Sequence, residues 1–350
     1  IIKNYEKDKS INQILITSST LSSSKIIQKF KFKKTIHQFF PIDHFYFTKK
    51  FLNYWKPNIA IFIESEIWPY MFRSLKNKKI PLILLNARIT RKTFDRWLRL
   101  KNFSKSVFKD ITAAFPQNIE TRKYLKKLNV DKIKFLGNLK FIENIDREQF
   151  KINKNLNKFF KNKKIWVASS THREEEIFCA KAHKELKKRE NNLLTIIIPR
   201  HVHRVKEIIS QVKKLGLKTK THSSFPKNLK DTDIYLVDTF GETNKFHKIG
   251  STVFLGGSII KRGGQNPLEA ARLNSNILHG PNTDNFKDVY KFLKSIKVSK
   301  KIYTPKQLAS SIIFKKNKNT GAKIKNIGEK ILKKTIKELD SLIKNEFKKT

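Results

Sequence analysis

Cysteine and methionine are almost absent: Cys179 and Met71 are the only ones in 350 residues. One thiol excludes an intramolecular disulfide and fits a reducing compartment. Cys179 falls in a helix-patterned stretch, which makes it a buried structural thiol rather than a nucleophile. No run of about 18 apolar residues occurs, so no membrane-spanning helix is expected, and no signal peptide is recognisable. Acidic residues are scarce as well. Only 29 Asp and Glu stand against 76 Lys and Arg, a formal net charge of +47, with a pI near 10.2. That excess points to anionic partners: nucleic acid, an acidic membrane face or phosphorylated substrates. The lysines are nevertheless spread through every segment together with Ile and Asn, so part of the charge is compositional background. They form no single stripe, and no DNA- or RNA-recognition motif occurs.

Other absences narrow the chemistry. There is no Walker P-loop and no G-x-S-x-G elbow, and the glycines near 256–264 do not spell G-x-G-x-x-G. His172, His201 and His203 have no metal-ligand spacing with a nearby Cys or Glu, so no metal site is expected.

What is present is a long β-α alternation. The length favours two domains, and 39% hydrophobic residues with 27 Phe suffice for packed cores. Short apolar runs at 13–16, 36–40, 59–63, 81–85 and 111–115 alternate with helical stretches, which predicts a parallel sheet covered on both faces. Residues 141–163 are polar and strand-free and read as a linker. The alternation restarts at Ile165, with strands at 193–198, 234–237, 252–255 and 276–278. The expected organisation is a domain over 1–140, the linker 141–163, a second domain over 164–320 and a basic helix over 321–350. The fold class is α/β, with two successive doubly wound domains.

The most structured single stretch is FLGGSIIKRGGQNPLEAARLN, Phe254 to Asn274. It spells a buried strand, a glycine loop and a helix start. Asn266 is placed to cap, Pro267 to take the first helical position and Glu269 to close a capping box. An ordinary capped helix and an anion site at a helix N-terminus both fit this pattern. The unusual polar residues also gather just past strand ends: Glu64, Glu66, Arg88, Lys140, the run Ser170-Thr171-His172, Arg200, Glu242, and Gly257, Ser258 and Gly264. That edge is where open α/β sheets bind ligands, which predicts a site in a cleft between the domains. Singly, Glu64 and Glu66 also fit as first-turn acids, and Lys140 as a solvated side chain.

The segments IESEIWP, LLNARIT, FLGNLKF, ASSTHREEE, IIPRH, DTFGE and FLGGSIIKRGGQNPLEAA resemble, in order, the Kdo transferases of lipopolysaccharide synthesis, from about Ile14 to Asp288. The resemblance implies a GT-B glycosyltransferase. It implies transfer of 3-deoxy-D-manno-octulosonic acid (Kdo) from CMP-Kdo to a lipid A precursor of the lipid IVA type, with inversion and without a metal or cofactor. It also implies three CMP-binding blocks in the second domain: Pro199 and Arg200; Phe240, Gly241 and Glu242; and Asn266, Pro267, Leu268 and Glu269. The family usually shows Met or Leu where Phe240 stands. Glu64 and Lys140 match positions that stabilise the transition state. The family's general base is a Glu in a motif upstream of the first strand seen here, beside an N-terminal membrane anchor. Neither is found before Ile14, so the N-terminus is expected to be missing, and CMP binding with poor transfer is expected of residues 1–350. The implied location is the cytoplasmic face of the bacterial inner membrane, peripheral, with an anionic glycolipid acceptor and no nucleic acid. Two alternatives stay open: another GT-B enzyme using a UDP-sugar, and a non-enzymatic basic nucleic-acid-binding protein.

Overall fold

Apolar runs of four to six residues need cover on both faces, and helices between parallel strands supply it. The computed structural model, which describes residues 1–142, 154–224 and 230–347, follows this rule in two compact units. One comprises 1–142 and 328–350, the other 143–327.

The first unit contains β1 (Ile14–Ser18), β2 (Thr35–Phe39), β3 (Ala60–Ile63), β4 (Leu82–Ala87) and β5 (Ala113–Pro116). β4 is buried along its whole length and pairs in parallel with β3 and β5. Phe72, Leu75, Leu84, Phe108 and Leu125 fill one face of this sheet. On the other face Ile83, Leu85, Ala113 and Phe115 meet the C-terminal helix Thr320–Phe347 through Leu339, Ile336 and Ile343. Each enclosed Leu, Ile or Phe contributes about 1.5–3 kcal/mol. The sequence expectation had set 321–350 apart as a basic helix. Residues 328–350 belong instead to the first unit, because the helical spacing of 336, 339 and 343 builds one apolar stripe, and Tyr5 Oη donates to Asp340 Oδ1 at 3.0 Å.

A second difference concerns β1 and β2. They pair only with each other, while β3, β4 and β5 form a separate sheet. Neither is enclosed on both faces: β1 is half-buried throughout, and Ile36 and Phe39 of β2 are exposed. Polar residues at Thr17, Ser18, Thr35, His37 and Gln38 give these strands no uninterrupted apolar run.

The second unit contains β6 (Lys164–Thr171), β7 (Leu193–Pro199), β8 (Thr219–Thr221), β9 (Ile234–Leu236), β10 (Thr252–Leu255), β11 (Asn276–His279) and β12 (Ser299–Lys301). They form one parallel sheet in the order β12-β11-β10-β6-β7-β9-β8. From β6 the chain builds outward on one side and then returns to build on the other, so the strand order reverses between β6 and β10. That reversal opens a crevice at the C-terminal ends of these two strands. Trp166, Ile197, Phe254 and Leu278 fill the core against the helices Glu175–Lys187 and Val205–Lys214. Cys179 is wholly buried there, and burial pushes its thiol pKa up.

β8 and β12 are absent from the sequence expectation. Their sequences, TKT and SKK, have no apolar residue, and both strands lie at sheet edges where a neighbour supplies the pairing. Part of the expected linker, 143–153, lies outside the described residues. Its remainder holds the helix Lys154–Phe160, whose buried Phe160 packs edge-on against Tyr235 at 5.7 Å.

Candidate functional site

In the first unit the polar residues after β3 and β4 converge. Glu64 prolongs the β3 ladder, donating its N–H to Leu85 O at 3.0 Å and accepting from Arg88 N at 3.1 Å. Its backbone is left-handed, with φ +62°. Lys140 is set by a turn: Asn138 Oδ1 accepts from Lys140 N at 2.9 Å, and Asn86 Oδ1 accepts from Leu139 N at 3.0 Å. Lys140 Nζ then stands 3.2 Å from Glu64 Oε1, both side chains part-exposed. Asn86 is also left-handed, with φ +50°. Non-glycine residues in that region cost about 1–3 kcal/mol and gather at working sites. A part-exposed ion pair returns about 1 kcal/mol or less, so fold stability does not account for the arrangement. Glu66 is engaged by Trp68 Nε1 at 2.8 Å, and Arg88 lies alongside, its carbonyl accepting from Ser65 Oγ at 2.9 Å. Asn86 and Asn138 were missed from sequence, although an Asn directly after a buried strand and a Gly-Asn turn were both visible.

In the second unit Ser170, Thr171 and His172 end β6 at the reversal point, and the glycine loop leaves β10 beside them. Gly256 allows the close approach: a Cβ there would stand 2.3 Å from Ser170 O. The loop amides do not face an empty anion site. Glu175, with no exposed surface, receives Gly257 N at 2.6 Å and His172 N at 3.0 Å on Oε2, and Ser258 N at 3.0 Å and Ile259 N at 2.9 Å on Oε1. Burial alone raises a carboxyl pKa. Here hydrogen bonds from His172, Gly257 and Ile259 outweigh it and hold Glu175 below the usual range. Glu175 is not among the sequence candidates, because nothing local sets it apart from its neighbours Glu174 and Glu176. Its neighbour Glu176 is buried against Arg204, with Nη1 to Oε1 at 2.9 Å. Desolvation dominates there and pushes Glu176 up.

Three sequence expectations change accordingly. Ser258 is buried, and its Oγ accepts from Gly280 N at 2.8 Å, so it serves the loop and not a ligand. Thr171 is buried as well, because it lies inside the sheet. The expected capping box is open. Asn266 Oδ1 accepts from Leu268 N at 3.1 Å, but the helix begins only at Leu268 and is five residues long. Among the described residues Glu269 receives no hydrogen bond. Its side chain reaches solvent, while the surrounding protein raises its pKa by desolvation, opposed by Arg272. Gly264 is left-handed, φ +72°, and Tyr290 Oη anchors the loop on Gln265 O at 3.0 Å.

The other candidates stand at neighbouring strand ends. Pro199 closes β7, followed by exposed Arg200, whose N–H bonds Thr171 O at 2.9 Å. His201 meets His172 edge-on at 5.9 Å. Desolvation lowers its pKa, and His172, His203 and Arg200 add to the effect. After β9, Phe240 is 79% exposed, Gly241 is left-handed at φ +81°, and Glu242 pairs with Lys245 at 2.7 Å. Arg200, His172, Gly257 and the start of the Leu268 helix thus share the C-terminal edge of one sheet, whereas Glu64 and Lys140 form a separate group in the first unit. No cluster of His, Cys, Asp and Glu with metal-holding geometry occurs among the described residues.

A family model described as 3-deoxy-D-manno-octulosonic-acid transferase (kdotransferase) matches residues 1–143. A 3-deoxy-D-manno-octulosonic acid transferase from Rickettsia bellii is 34% identical over 336 residues, covering 95% of this chain and 79% of that protein. One from Haemophilus influenzae is 26% identical over 299 residues, covering 85% of this chain and 70% of that protein. Among solved structures, a glycosyltransferase from Rickettsia africae superposes with a TM-score of 0.57 at 11% identity, over 95% of this chain and 91% of that chain. That likeness bears on the fold, and the fold is GT-B, with two Rossmann-like α/β units. By the identity and coverage of its relatives, the chain belongs to the 3-deoxy-D-manno-octulosonic acid (Kdo) transferase family of glycosyltransferases.

Proposed function

We propose that the second unit holds the cytidine nucleotide of CMP-Kdo at the β6/β10 reversal, and that the first unit engages the acceptor, a lipid A precursor. The supporting observation is that Arg200, His172 and the Asn266–Glu269 turn all reach the C-terminal edge where the strand order reverses. Arg200 offers a planar, bidentate partner for phosphate. Glu269, with no hydrogen-bond partner among the described residues, is an acceptor for ribose hydroxyls. Phe240, Gly241 and Glu242 complete the nucleotide side, and Pro199 fixes the backbone that presents Arg200.

The reaction makes two demands. The acceptor hydroxyl must lose a proton as it attacks the anomeric carbon, and CMP must leave as a phosphate anion, with inversion. Lys140, held by Glu64 at 3.2 Å, supplies positive charge for the donor carboxylate or the leaving phosphate as the bond breaks. Its turn is fixed beforehand by Asn86 and Asn138, so little reorganisation accompanies reaction. The donor is the only small molecule required besides the acceptor.

The first unit also offers a surface for a lipid-linked acceptor at the cytoplasmic face of the inner membrane. Ile42, Phe45, Tyr46, Phe47 and Tyr54 are exposed on or beside the helix Phe45–Trp55, interleaved with Lys49 and Lys50. Aromatics and lysines together suit an anionic glycolipid surface. No described helix is long and apolar enough to cross a membrane.

Calorimetric titration tests the donor assignment. CMP is expected to bind the wild type at least tenfold more tightly than UDP, and Glu269→Ala to weaken CMP about tenfold, roughly 1.4 kcal/mol. Equal or tighter binding of UDP overturns CMP as the nucleotide.

A further inference from the structure

The four amides that converge on Glu175 come from two places in the chain: His172 from the β6 turn, and Gly257, Ser258 and Ile259 from the loop after β10. These are the two strands whose order reverses, and they flank the crevice. A single buried carboxylate therefore ties the two walls of the site together.

The same carboxylate lies beside His172. The imidazole Nδ1 is 3.1 Å from Ser170 O and 3.7 Å from Glu175 Oε2. Both neighbours are acceptors, so Nδ1 carries the hydrogen. Cε1 lies 3.3 Å from the position a Gly257 side chain would take, so the ring rests on the glycine loop, and any side chain at 257 would displace it. Among the described residues Nε2 has no hydrogen-bond partner. The charged or titratable groups around the ring are Glu175 from the helix it opens, His201 after β7, and beyond it Arg200, His203 and Arg204.

We infer that Glu175 is a positioning residue of the donor site: it locks the 257–259 backbone and fixes His172 with Nδ1 inward, so that Nε2 is the atom presented to the nucleotide phosphate. The assignment rests on the proposed binding of CMP-Kdo at this crevice. Glu175 touches no substrate. With Nδ1–H held inward, Nε2 donates to a phosphate oxygen once the ring carries its second proton.

The acceptor pattern makes the test specific. Each Glu175 oxygen receives two N–H groups. Glu175→Gln keeps the shape, yet in either flip its NH₂ faces two donors, so two hydrogen bonds are lost whichever way it settles. Folded Glu175→Gln, checked by circular dichroism, is expected to bind CMP about 10- to 100-fold more weakly. Its KM for donor is expected to rise more than its kcat falls. The ¹⁵N spectrum of wild-type His172 in the free protein is expected to show the Nδ1–H tautomer, and Glu175→Gln to mix the two tautomers. That spectrum needs no nucleotide and no variant, so a variant that fails to fold still leaves the inference open to refutation. An Nε2–H tautomer in the wild type overturns it, as does a folded Glu175→Gln with unchanged CMP affinity. Failure of the wild type to bind CMP overturns the donor reading instead.

Discussion

Two glutamates stand just past strand ends of two Rossmann-like units and have opposite surroundings. Glu64 is part-exposed, sits on a left-handed backbone and meets one cation, Lys140. Glu175 is sealed from solvent and meets four backbone amides. A carboxylate that still faces water can exchange partners during a reaction, and one saturated by amides can only hold the backbone. The same residue type just past a strand end thus meets solvent and a cation in one unit and only backbone amides in the other. Beyond this pair, the second unit also buries Glu176, His183, His247 and His279.

The three buried histidines expose the second unit to acid, and this is the largest expected effect. Burial lowers His183 to about 4, His247 to about 3 and His279 to about 4. Among the described residues the His247 ring has no hydrogen-bond partner on either nitrogen. Each ring is neutral in the fold and binds a proton near pH 6.5 once unfolded, so the unfolded chain takes up protons that the fold refuses. The contribution is complete above about pH 6.5 and is lost as pH falls through that value towards 4 for His183 and His279 and towards 3 for His247. The slope is about 1.4 kcal/mol per pH unit for each histidine. Hydrogen exchange at stepped pH should show amides of the second unit losing protection first. Earlier loss from β4 and β5 would remove this contrast between the units.

Next in size is the chemistry assigned to the first unit. Lys140→Met removes the cation and keeps most of the stem. The expected result is a fall in transfer rate of about 10²- to 10³-fold, roughly 2.7–4 kcal/mol in the barrier, with the thermal midpoint almost unchanged because the pair is part-exposed. A drop in midpoint that accounts for the lost activity would make Lys140 a structural residue like Glu175.

Much of this was legible beforehand, for identifiable reasons. β4 and β10 announce themselves because LILL and VFL within them are unbroken apolar runs. β8 and β12 do not, because TKT and SKK pair only through backbone at sheet edges. The gathering of polar residues at strand ends was visible as spacing, and Glu64 and Lys140 do meet. Glu175 was not visible. A glutamate in the first turn of a helix ordinarily serves the dipole, and nothing local tells that its partners lie at Gly257 to Ile259, more than eighty residues on. The open capping box failed for a related reason. The N-P-L-E pattern is local, but the helix it opens runs only from Leu268 to Arg272.

The smallest effect separates the two glutamates most directly. At φ +62° the Glu64 Cβ crowds its own backbone, a conformation that asparagine tolerates better than other side chains. Glu64→Asn relieves that strain and gives up only a part-exposed ion pair. Unfolding by urea should therefore show stability unchanged or raised by up to about 1 kcal/mol, even as transfer falls with the loss of the carboxylate that steadies Lys140. At position 175 the same replacement has no strain to relieve. It shortens the side chain and leaves buried amides unpaired, each at a cost of about 1–3 kcal/mol. Opposite signs for one substitution at two strand-end glutamates follow only if Glu64 is held in place for chemistry and Glu175 for structure. Destabilisation at both positions would mean that the first unit, too, uses its glutamate to hold the fold.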